Sequence, residues 1–228
     1  MNEAVRPDER AGARGSAGDD VILQVVTGSR AYGLDTPESD TDRRGVFVVP
    51  TPEFWRLDKP PTHRDGPLPE QFSWEVERFC VLALEANPTV LECLWSPLVE
   101  LVTPAGERLL GLRDAFVSER ARRTFVEYAR AQFKRLDPER PRWKQAMHMI
   151  RLLLSGLHLL EHGSPLVRVG EHRERLLAIR RGEVPWAEVE AWRARLAARA
   201  ETAPSVLPAV PDRKAVEEFL MDVRRENL

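Results

Sequence analysis

Cysteine is nearly missing from this 228-residue sequence, which carries two, Cys80 and Cys93. They form no Cys-x-x-Cys pair and join no Cys/His cluster with zinc spacing, which excludes a disulfide framework and a structural zinc site and makes a reducing cytoplasm the expected setting. Long apolar runs are absent too: no stretch reaches the ~18 residues that a membrane helix needs. The N-terminus lacks the apolar centre of a signal peptide, so neither membrane insertion nor secretion is expected. Nor is there an excess of one charge. With 34 Lys and Arg against 36 Asp and Glu, the formal net charge is −2, so any surface that attracts nucleic acid must be local. No G-x-x-x-x-G-K-[ST] pattern occurs, which excludes a Walker P-loop. Large apolar side chains are scarce in the first twenty residues, MNEAVRPDERAGARGSAGDD, and residues 1–20 are expected to form a flexible tail.

What remains is an ordinary globular profile, 43% hydrophobic and 31% charged. Val21 to Val26 (VILQVV) is a β-branched run that stops at Thr27-Gly28-Ser29, which predicts a buried strand leading into a turn and a short helix. Ser39 to Val49 passes from polar alternation into an apolar run before Pro50, the profile of a second strand. Phe72 to Val76 alternates briefly and predicts a third. The Pro-rich stretch from Pro50 to Pro69 reads as a surface connection. Beyond Glu75 the apolar spacing becomes helical, in Phe79-Val81-Leu82-Leu84 and Val90-Leu91-Leu94-Trp95. Ala105 to Leu136, Trp143 to His162 and Pro185 to Glu201 are the clearest helical blocks, punctuated by Asp137-Pro138 and Gly163-Ser164-Pro165. The expected fold class is α+β: a small mixed-sheet lobe over residues 21–102, then an all-helical lobe over 103–228.

The chemistry concentrates in GSRAYGLDTPESDTDRRGVFV, where a Gly-Ser turn after one strand is followed by an Asp-x-Asp at the start of the next. In an extended strand, side chains at i and i+2 share a face, so Asp40 and Asp42 are expected to present two carboxylates together. Two such charges are costly side by side unless a cation lies between them, and hard oxygen ligands suit magnesium, or manganese in its place. Phosphoryl transfer asks a protein mainly for positioning and charge neutralisation, which a metal pair roughly 3.5–4 Å apart supplies. Gly28 lets the backbone approach a phosphate, Ser29 offers a hydroxyl and an N–H at a helix start, and Arg30 can add charge. In the helical part, Lys144, His148 and Arg151 are spaced i, i+4, i+7, one helix face able to grip the outer phosphates or departing pyrophosphate.

These residues resemble the minimal DNA-polymerase-β-like nucleotidyltransferases, and within them a group named for an RNA-repair pathway. GSRAYG, SDTDRRGVFV, ANPTVLECLWSP, KQAMHMIRLL, HG, LLAIRRGEVP and the late PD are similar to that group's sequence, in order, over nearly everything after the tail. The resemblance implies transfer of a nucleoside monophosphate from an NTP to an acceptor hydroxyl, with RNA, a 3′ end under repair or a tRNA, as acceptor. It implies catalytic roles for Gly28, Ser29, Asp40 and Asp42. It also implies a third carboxylate on a neighbouring strand, where the family has an aspartate; here Glu70 stands at that place and Glu75 is the alternative.

Other features read as architecture. Asn87-Pro88 with Glu92 looks like a helix start with an Asn cap and an early-turn acid. His158 and His162, at i, i+4, lack the Glu and third ligand of a zinc site. The six tryptophans read as packing groups, with Trp143 a candidate to face the cleft. Three rival readings stand beside the RNA enzyme: transfer to a protein or small molecule, glycosyl transfer, which also uses Asp-x-Asp, and a degenerate member that binds nucleotide or RNA without turnover.

Overall fold

The first strand, β1 (Val21–Thr27), lies inside the sheet because its apolar residues are buried on both faces, Leu23 and Val25 on one and Ile22 and Val26 on the other. In the computed structural model, which describes residues 20–134, 137 and 139–228, β1 pairs antiparallel with both β2 (Asp42–Phe47) and β5 (Val99–Val102). β4 (Gln71–Glu75) runs parallel to β2, and β3 (His63–Asp65) pairs antiparallel with β4 at the edge. The sheet order is β3-β4-β2-β1-β5, a mixed five-stranded sheet. The helices follow as α1 (Gly28–Tyr32), α2 (Val76–Leu84), α3 (Pro88–Leu94), α4 (Pro104–Gly111), α5 (Arg113–Phe116), α6 (Arg120–Phe133), α7 (Trp143–His162), α8 (Arg173–Arg180), α9 (Trp186–Thr202) and α10 (Arg213–Glu226). The α+β class read from the sequence is the class observed. The expected tail, apart from Asp20, and the expected helix end at Leu136 lie outside the described residues.

Leu23, Val25 and Val46 from the sheet meet Phe79, Leu91 and Leu94 from α2 and α3 in one apolar core that continues into α7 through Met147, Ile150 and Leu154. α7 is the central strut of the helical part, packed against α6, α8 and α9. The single block expected from Ala105 onward is three helices, interrupted at Leu112 and at Val117-Ser118. Pro104 opens the first of them, with Thr103 accepting from the Gly106 N–H as its cap. Two strands escaped the sequence reading. β3 lies inside the Pro-rich connection, and all four residues of β5 are exposed, so no alternation of burial marks it.

The last helix crosses back to the sheet. α10 packs on α2, α4 and α5, and Arg224 sends both Nη atoms to the Glu75 carboxylate at 2.8 and 3.0 Å. Glu75 is 2% exposed and also accepts from the Glu77 N–H, capping α2. Among the described residues no helix is long and apolar enough to cross a membrane.

Candidate active site

The site is built where β1 ends. Thr27 stands opposite Asp42 across the ladder and donates its hydroxyl to the Asp42 carbonyl at 3.2 Å. The chain then leaves the sheet at Gly28, whose φ of 66° is left-handed. A Cβ placed on Gly28 would lie 2.0 Å from Asp42 Oδ2. Backbone and carboxylate are therefore in direct apposition, and glycine is required both for the dihedral and for the space. α1 starts at this point and lasts five residues, with no side chain capping its first turn. So short a helix has little macrodipole, and what it offers an anion is the unbonded N–H groups of its first turn.

Asp42 Oδ1 is 3.6 Å from Arg44 Nη2, and its side chain keeps 30% of its surface open. Asp40 is exposed and precedes the first ladder residue, so the strand alternation that predicted two carboxylates on one face begins only at Asp42. The bend carrying Asp40 is held instead by Arg30, which donates from Nε to the Asp40 carbonyl at 3.3 Å and from Nη2 to the Ser39 carbonyl at 2.8 Å. Arg30, expected to add charge at the phosphates, has its guanidinium on its own loop, where it satisfies two backbone carbonyls. Its observed work is to fix where Asp40 sits.

The two candidates for the third carboxylate occupy opposite ends of β4. Glu70 is level with Asp42 on the neighbouring strand: Arg43 pairs with Gln71 in the parallel ladder, and the Glu70 carbonyl accepts from the Arg43 N–H at 2.9 Å. Its φ of 56° is left-handed and its side chain is exposed. Glu75 pairs with Phe47, five ladder steps from Asp42, or roughly 16 Å along the strand, and its carboxylate is tied to Arg224. Glu75 is thereby an architectural residue. Among the described residues, no three His, Cys, Asp or Glu side chains converge on a metal-sized space. Two hard carboxylates beside a bare glycine backbone still suit magnesium, which is held by one or two carboxylates and takes substrate phosphate oxygens and water for the rest.

Lys144, His148 and Arg151 do lie along one face of α7, but at graded depth. Lys144 is exposed, while Arg151 is buried and donates from Nη1 to Glu92 Oε1 at 2.6 Å. The same carboxylate accepts from Ser155 Oγ at 3.0 Å and, on Oε2, from the Tyr32 hydroxyl at 2.8 Å. The Arg151 guanidinium also lies 3.8 Å over the Tyr32 ring. Arg151, expected to hold phosphate, is thus neutralised inside the protein. Burial, helped by the charges of Arg151, Lys144 and Arg180, holds the His148 imidazole down at about 3, so it enters any contact at neutral pH as an uncharged ring. Lys144 alone of the three keeps an open charge.

Glu92, read as an early-turn acid, is the centre of this cluster and is 3% exposed. A signal was present: a lone carboxylate inside the apolar run Val-Leu-Glu-Cys-Leu has to be paired if the run is buried. The Asn87 cap was legible and is observed, with Oδ1 accepting from the Thr89 and Val90 N–H groups. His158 and His162 lie against each other with ring planes tilted by 54°, and His158 Nδ1 is 2.7 Å from the Ser164 carbonyl. Trp143 packs edge-on against Trp186. The C-terminal end of α1 is fastened by three donors that sequence reasoning missed: the Val169 N–H on the Tyr32 carbonyl (3.1 Å), Arg173 on Gly33 (2.9 Å) and Arg180 on Leu34 (3.0 Å).

The chain is 27% identical over 164 residues to an uncharacterized protein of Bacillus subtilis (strain 168), YcgL. That alignment covers 69% of this chain and 63% of the relative, so the chain spans less than two thirds of that protein's length. A family model described as the RNA repair pathway DNA polymerase beta family matches residues 8–222. With that extent of match, and with a Gly-Ser turn set against an Asp-x-Asp, the chain belongs to the RNA repair pathway DNA polymerase beta family.

Proposed function

We propose that this protein transfers a nucleoside monophosphate from an NTP to a hydroxyl of an RNA, a 3′ end under repair or a tRNA. Membership of a polymerase-β-type nucleotidyltransferase family supplies the reaction class. The observation that carries the reading to these residues is the apposition of Gly28 and the Asp42 carboxylate, which sets an acid able to hold a cation directly beside the backbone turn that would take the phosphates. Asp40 and Asp42 would hold the divalent cation, magnesium or manganese, which when bound neutralises charge on the triphosphate and the pentavalent centre. Gly28 and Ser29 hold phosphate oxygens through backbone N–H groups and the Ser29 hydroxyl, and Arg30 keeps the Asp40 bend in register. Lys144 meets the charge that grows on the leaving group. The acceptor oxygen forms its bond to the α-phosphorus as the bridging bond breaks and pyrophosphate departs; the acceptor proton passes to Glu70, directly or through water.

A reading as a binding module without turnover draws on one observation, that the Glu70 side chain does not converge with Asp40 and Asp42 into a three-ligand group. The deciding experiment supplies each of four α-labelled NTPs with magnesium and a pool of tRNA and short RNAs, comparing wild type with Asp40→Ala/Asp42→Ala. We expect label in RNA with the wild type and a loss on the order of 10³-fold in the variant. Label in protein would redirect the acceptor, and NTP binding with no pyrophosphate release would favour the module.

A further inference from the structure

α3, α6, α7 and Tyr32 at the end of α1 line a cavity of ≈ 250 Å³. Its lining includes the Tyr32, Glu92 and Arg151 cluster, together with Gln145, His148 and Tyr128. We infer that this cavity is a nucleobase site, receiving the base either of the incoming nucleotide or of the nucleotide at the RNA end. The inference rests on the nucleotidyltransferase reading for the identity of its ligand.

Charge comes first. Arg151 and Glu92 cancel each other at 2.6 Å, so the lining offers no unpaired cation to a phosphate. The neutral state of His148 points the same way. What the lining does offer is neutral polar chemistry, a carboxamide, an imidazole and phenols, groups that pair with the edges of an uncharged heterocycle. Size agrees, because the volume falls below the usual range for a whole drug-sized ligand and suits one ring system. Tyr128 is 44% exposed beside it, an aromatic face available for stacking. Gln145 Oε1 is buried without a hydrogen-bond partner among the described residues. Such an acceptor is costly to leave unmade, and a turn of the side chain toward a ring N–H would satisfy it.

Position supports the same ligand. Tyr32 closes the single helical turn whose first residue touches Asp42. Along α1 the four steps from Gly28 to Tyr32 rise roughly 6 Å, which puts the Tyr32 wall of the cavity and the residue that meets Asp42 within the length of one nucleotide.

The test titrates the full chain with free adenosine, guanosine, cytidine and uridine, without phosphate or metal, followed by calorimetry and amide NMR. Selective binding of at least one nucleoside is expected, weakened at least ~10-fold by Tyr128→Ala and by Gln145→Ala. Asp40→Asn/Asp42→Asn should leave it unchanged. Melting curves of each variant establish that the fold is retained. If the incoming base is the occupant, the two pocket variants flatten the preference among NTPs in the transfer assay; if the RNA end is, they raise KM for RNA and leave that preference intact. NTP binding without any nucleoside binding, or nucleoside binding untouched by both variants, overturns the inference. Nucleoside binding that persists in a chain showing no transfer would remove the reaction and keep the site.

Discussion

Two clusters of this molecule use nearly the same residue types and come to opposite ends. Around Gly28, the acids Asp40 and Asp42 stand with Arg30 and Arg44 at the surface, and neither carboxylate is closed off by a guanidinium. Around Glu92, one acid is enclosed by Arg151, Tyr32 and Ser155, and all four are buried. What separates them is access to solvent. An acid whose oxygens are all taken by the protein holds the fold together, while one left half-open can take a cation and a substrate. Arg30 and Arg151 teach the same lesson for cations: both were expected at phosphates, and both are occupied by groups of the protein itself.

The sharpest way to break this contrast is to remove one member of the sealed cluster. Glu92→Ala leaves the Arg151 cation buried without a partner, and a loss of roughly 3–5 kcal/mol in urea unfolding is expected, against less than about 1 kcal/mol for Asp42→Asn. Equal losses would erase the distinction between the clusters. Gly28→Ala tests the open one. Its Cβ would push on the Asp42 carboxylate, and transfer should fall on the order of 10²-fold because the reacting groups are displaced by about an ångström. Wild-type rates in that variant would mean the apposition has no part in the chemistry.

The smallest effect concerns His148, which lines the cavity beside the sealed cluster. Its ordinary value is 6.5 and the fold holds it at about 3, so between those values the unfolded chain binds a proton that the folded chain does not. Stability therefore falls as pH drops below 6.5, with a slope of roughly 1 kcal/mol per pH unit after allowing for partial solvent contact. Unfolding measured from pH 7 to 4 should lose part of its slope in His148→Gln. An unchanged slope would show that the ring titrates freely.

Sequence reading singled out the residues of the open cluster and missed the meeting of the sealed one, for physical reasons. The Gly-Ser turn and Asp-x-Asp are local, and their spacing along the chain already constrains what they can do. Asp40 and Arg30 show the limit of that, since the strand starts two residues later than the polar alternation and a guanidinium turned inward. Glu92, Arg151, Tyr32 and Ser155 come from three elements distant in the chain, so no periodicity announces their meeting. The choice between Glu70 and Glu75 depended on the register of β4 against β2, which only the assembled sheet provides.

The pairing of Glu75 with Arg224 bears on how the chain is made. The two residues are separated by 149 positions, so on a ribosome adding about 5–20 residues each second the carboxylate waits roughly 7–30 s for its guanidinium. Until then the start of α2 carries an unpaired acid at a position that the finished protein shields from water. The sheet that holds the Gly28-Ser29 turn emerges early and is completed late, and any release of the nascent chain before residue 224 yields a protein whose first half is left unsealed.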